Sequence, residues 1–131
     1  MGQQQLLLIV LGVIIVGIAV VVGINVFTAS SLNANSDAVI ADLTTIASMA
    51  QQYYRKPEAM GGGGNSFVGF TIPGTLDTTA NGIYTLDGAA TASQVKFIGT
   101  GNEKTALGHD LQIKMTVTST GIDVTDNNVN E

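Results

Sequence analysis

Few residues in this chain are of a type and spacing that could do chemistry. His109 is the only histidine and stands in Gly108-His109-Asp110. A histidine beside an aspartate is half of a general-base pair, but the pair needs a nucleophile within reach. Spacing identifies none, so His109 reads as a loop residue ahead of a strand. Gly61-Gly62-Gly63-Gly64 has the glycine content of a phosphate loop without the Lys-Ser/Thr that would contact phosphate and metal. It reads as a flexible linker. Asp123, Asp126, Asn127 and Asn128 offer oxygens of the kind Ca²⁺ prefers, but their spacing is not that of an EF-hand loop. They read as a solvated turn. The chain contains no cysteine, which excludes disulfides and thiolate metal sites. No catalytic, cofactor-binding or metal site is expected, and the chain is not expected to be an enzyme. Its net charge of -5 leaves little excess Lys or Arg to displace counterions from phosphates, so direct nucleic-acid binding is not expected.

The elements that would carry any activity are more informative. All ten acids and all five bases stand at or after Asp37. Before them, residues 6–27 read LLLIVLGVIIVGIAVVVGINVF, with Asn25 the only strongly polar side chain. About 20 apolar residues in a helix span a hydrocarbon core of roughly 30 Å. The run is longer than a signal-peptide apolar region and has no basic residue before it. A retained membrane-compatible helix is the reading. The sixth residue, Leu6, is neither Ser nor Thr, so Gly2 does not form a myristoylation motif. A plain single-span membrane protein is the competing reading. Against it, no Lys or Arg flanks the N-terminal side of the run to orient it. Gly12, Gly17 and Gly23 punctuate the run, and glycines allow neighbouring helices to approach closely.

The helical pattern continues past Phe27. Val39, Leu43, Ile46, Ala50 and Tyr53 recur at spacings of 4, 3, 4 and 3, an amphipathic stripe. Asn33, Asp37, Thr44, Thr45, Ser48 and Gln51 occupy the other face. One nearly continuous helix is expected over about 1–54. Arg55-Lys56-Pro57 suits its C-terminus, because basic side chains favour that end and proline cannot continue it. Beyond the glycines, strand character is expected at 67–72, 83–86, 94–98, 111–118 and 122–125. Each stretch is bounded by turn residues such as Pro73-Gly74, Asn81-Gly82, Asp87-Gly88 and Gly99-Thr100-Gly101. Residues 111–118 alternate strictly and pair with 122–125 as a hairpin.

The expected fold class is α+β: a long N-terminal helix whose second half packs on a small antiparallel sheet. Val39, Leu43, Ile46, Ala50 and Tyr53 would face Ile113, Met115 and Val117. Two parts are expected: an apolar half-helix, 1–30, and a globular part, 31–131. The latter comprises an amphipathic helix at 31–54, a Gly-rich loop at 57–66 and a sheet at 67–131. The apolar half has nothing of its own chain to bury it, so it must enter a membrane or other copies of itself.

A short polar start, an apolar helix from the sixth residue, its amphipathic continuation to about residue 54 and a small antiparallel sheet together resemble the type IV pilin superfamily. The likeness of architecture covers the whole chain; the likeness of sequence is confined to the first 30 or so residues. The resemblance implies a structural subunit of an extracellular pilus-like filament, a helical homopolymer built through the apolar helix. It also implies a leader removed by a prepilin peptidase, N-methylation at Met1, an assembly machinery as partner, and residence in the cytoplasmic membrane before assembly. Leu6, Gly12, Gly17, Gly23 and Phe27 would then pack the filament core. The family's usual glutamate is replaced by Gln5, which would contact the N-terminus of a neighbour without an ion pair. The proline often found near residue 22 is Val22 here, and the C-terminal disulfide loop is lacking. A non-polymerising pseudopilin of a type II-like secretion system is the alternative within the same family.

Overall fold

A computed structural model describes residues 2–129. The chain divides into two compact units, Met1–Ser31 and Leu32–Glu131. Helix α1, Gly2–Arg55, forms the first unit and opens the second. A short 3-10 turn, Glu58–Met60, follows it. Among the described residues five strands follow: β1 (Thr78–Thr79), β2 (Gly82–Leu86), β3 (Gln94–Lys104), β4 (Asp110–Thr118) and β5 (Ile122–Asn127). They form one antiparallel sheet in the order β1-β2-β3-β4-β5. The fold is α+β, with the helix of the second unit packed on the sheet.

The stripe along that helix is what the sheet buries. Val39, Leu43, Ile46, Ala47 and Ala50 are fully buried with Tyr84, Val95, Phe97, Ile113, Met115 and Val117 in one core. Tyr53 packs on its margin. Each fully buried Val, Leu or Ile contributes about 1.5–3 kcal/mol of transfer free energy. On β4, Leu111, Ile113, Met115 and Val117 are buried and alternate with partly or wholly exposed Gln112, Lys114, Thr116 and Thr118. The β4–β5 hairpin pairs Val117 with Ile122 and is irregular between Lys114 and Met115.

The structure corrects three local expectations. Residues 67–72 form irregular chain with a turn at Val68 and Gly69 rather than a strand. Phe67 and Phe70 are buried, but as irregular chain that lays rings against Tyr54 and Tyr53 at centroid distances of 4.7 and 5.5 Å. The sheet therefore begins at Thr78, not at residue 67.

Gly99-Thr100-Gly101 does not end a strand; β3 runs through it to Lys104. The glycines are there because the helix lies on them. A Cβ at Gly99 would come within 2.7 Å of Val39 Cγ1, and one at Gly101 would collide with the Asn35 side chain.

The glycine run is not a free linker but the cap of α1. The last turn of a helix has carbonyls without partners. Here Gly63 N–H donates to Tyr53 O (2.8 Å), Asn65 N–H to Tyr54 O (2.7 Å) and Gly64 N–H to Lys56 O (2.9 Å). Gly63 is buried, and a Cβ there would overlap the Ser66 carbonyl.

Candidate functional site

In the first unit, every large apolar side chain of residues 6–27 is exposed, from 52% at Leu11 and Ile14 to 73% at Phe27. The most apolar stretch of α1 has none of its residues buried. It is long and apolar enough to cross a membrane. Leu6 and Phe27 stand near its two ends, and Gln3, Gln4 and Gln5 are exposed ahead of it. A Cβ added at Gly12, Gly17 or Gly23 would meet nothing within 4 Å. Among the described residues no contact asks for glycine there, although each costs a helix interior about 0.8–1.0 kcal/mol relative to alanine. Thr28 Oγ1 donates back to Ile24 O (2.9 Å), which satisfies its hydroxyl within the helix. Met1, the expected site of processing and methylation, lies outside the described residues.

The second unit holds a polar cluster that sequence reading missed. Asp42 Oδ2 accepts hydrogen bonds from Tyr84 Oη (2.6 Å), Thr79 Oγ1 (2.8 Å) and Asn81 Nδ2 (3.0 Å). Thr79 Oγ1 also accepts from Asn81 N–H, and Asn35 Nδ2 donates to Asn81 O (2.9 Å). Asn35 Oδ1 accepts from Glu103 N–H (3.2 Å). Gln51 Nε2 donates to Thr118 O (3.2 Å). Asn35, Asp42 and Gln51 thus tie the helix to the β1–β2 turn, β2, β3 and β4. Burial pushes the Asp42 carboxyl up, but the bonds from Tyr84, Asn81 and Thr79 outweigh it and hold the group below its ordinary value. Burial, then the bond to Asp42, pushes the Tyr84 phenol well above its usual range. The group clasps helix to sheet. Its signals in the sequence were an acid adjoining the stripe residue Leu43 and a tyrosine at an inward position of β2.

His109 lies in the β3–β4 turn, exposed, beside an open concavity of about 470 Å³ lined by Lys104, Gly108, Asp110, Gln112 and Asn128. Asp110 is engaged by Lys104 Nζ at 2.6 Å, and that bond lowers its carboxyl. None of the lining residues is a Ser, Thr or Cys nucleophile. Asp123, Asp126 and Asn127 do not form the expected turn: they lie on β5, paired with Thr116, Lys114 and Ile113, while Asn128 Oδ1 accepts from Gln112 N–H. Among the described residues, no group of three His, Cys, Asp or Glu side chains is placed to hold a metal ion.

The largest run of exposed apolar side chains among the described residues is that of residues 6–27. No family model matches this chain, nor does any curated protein or solved structure.

Proposed function

We propose that this chain is a structural subunit of a type IV pilus-like filament that polymerises through residues 6–27. The observation that carries the reading is a membrane-length apolar helix, exposed on all sides, joined to a compact unit with its own complete core. Such a surface is stable only in lipid or against other apolar surface. Before assembly the helix resides in the cytoplasmic membrane; afterwards it lines the filament core. Leu6, Gly12, Gly17, Gly23 and Phe27 pack copy against copy. The glycines support this because a Cβ at any of them would meet nothing within 4 Å among the described residues. The contacts are heterologous and do not close, which yields a helical polymer at the cell surface. The chain acts with a prepilin peptidase and an assembly machinery, and Met1 is its site of methylation. Gln5 accepts a hydrogen bond from a neighbour's terminal ammonium, an interaction of about 1.5–3 kcal/mol.

The second reading is a single-span anchor for the globular unit, favoured by the same apolar run. Electron microscopy of material sheared from cells, with mass spectrometry of the N-terminal peptide, separates the two. Thin filaments made of this chain and beginning at methylated Met1 are expected. Protein confined to the membrane fraction, unmethylated and without filaments, would leave the anchor.

A further inference from the structure

We propose a second assembly contact, resting on the filament reading: Leu107 of one copy packs on the apolar segment, residues 6–27, of another copy. Leu107 is 70% exposed, more than any large apolar residue outside that segment among the described residues. It stands in a braced turn. Gly108 N–H donates to Thr105 O (2.8 Å), Thr105 N–H to His109 O (2.8 Å) and His109 N–H to Thr105 Oγ1 (3.3 Å). Thr105 itself is buried, so the turn is anchored from beneath while Leu107 is held in solvent.

The position of the turn within the second unit matters as much as its exposure. Gln51 meets Thr118, which pairs with Gln94 at the start of β3. Asn35 meets Glu103 near the end of β3. Moving along β3 therefore means moving back along the helix, and the β3–β4 turn lies past Asn35, toward Leu32. This is the end of the unit from which the chain runs back into the apolar segment. Met60, almost as exposed at 67%, follows the opposite end of the helix.

A lipid surface fits less well. The strand ends flanking the turn carry Glu103 and Asp110 against Lys104, whereas loops that dock on anionic headgroups carry an excess of Lys or Arg. A second copy supplies an uncharged apolar partner, since residues 1–36 contain no charged side chain.

The test uses the full chain in cells that assemble it. Leu107→Asp is expected to cut filament yield at least tenfold, with Leu107→Ala intermediate and Met60→Asp unchanged. Equal protein levels and protease resistance in the membrane fraction check folding. Because the chain has no cysteine, L107C combined with V20C or V26C gives an unambiguous cross-link. Reducible ladders of linked copies are expected in filaments under mild oxidation, and none from M60C with the same partners. Normal filaments from Leu107→Asp, or no ladder from any pair, would overturn this contact while leaving the filament reading intact. No filaments from the unmodified chain would remove both. Quenching of a fluorophore on L107C by brominated lipid chains, without ladders, would assign the residue to the bilayer and also overturn the proposal.

Discussion

Asp42 collects three donors on one oxygen, and the tyrosine among them has its ring in the core. Removing only one donor is mild: Tyr84→Phe is expected to cost about 1 kcal/mol. Asp42→Ala leaves the Tyr84 hydroxyl without its acceptor and is expected to cost about 1–3 kcal/mol. Chemical unfolding of the full chain in detergent, followed by circular dichroism, checks both. The sign of the pH effect follows from the lowered carboxyl. Its stabilisation is complete above the unfolded value, near 3.8, and is lost as pH falls through the lower folded value. Wild-type protein should therefore lose stability on acidification below about pH 4 more steeply than Asp42→Asn, whose side chain does not titrate there. The cluster was not legible beforehand. Asp42 and Tyr84 are separated by 42 residues, and an acid on a helix ordinarily reads as solvated.

Between elements, what was legible and what was not divides along physical lines. The stripe Val39, Leu43, Ile46, Ala50 was readable because burial against one sheet imposes the helical period. The alternation at 111–118 was readable because a sheet with one buried face imposes a period of two. Glycine carries no such period. Gly61–Gly64 looked like a linker, yet its amides cap α1; Gly99 and Gly101 looked like a turn, yet they let the helix approach β3. Phe67, Phe70 and Ile72 were apolar enough for a strand but are packed as irregular chain. These positions give sharp expectations. Gly99→Val should destabilise the second unit by about 1–3 kcal/mol through overpacking. Gly63→Ala should lower the melting temperature by several degrees, since its Cβ would meet backbone and the cap would open. An unchanged melting curve for either would contradict the close approaches described.

For the whole molecule, the two units answer to different forces. The second is held by its own core; the first has no core and depends on its surroundings. A substitution should accordingly affect one property and spare the other. Gly17→Leu is expected to abolish or sharply reduce filaments while the unfolding of the second unit stays as in wild type. Leu43→Ala should instead cost about 2–5 kcal/mol of folding stability. Negative-stain microscopy and thermal unfolding, run on both variants, separate the two properties. The ties made by Asn35, Asp42 and Gln51 bear on a different quantity, mechanical strength. They are distributed along the helix and reach separate strands and turns of the sheet. A pull along the helix axis loads them together, in shear. Rupture then requires several hydrogen bonds and the sliding of a packed apolar stripe to fail at once, whereas a pull that peeled the helix off the sheet would break the same bonds one at a time and at much lower force.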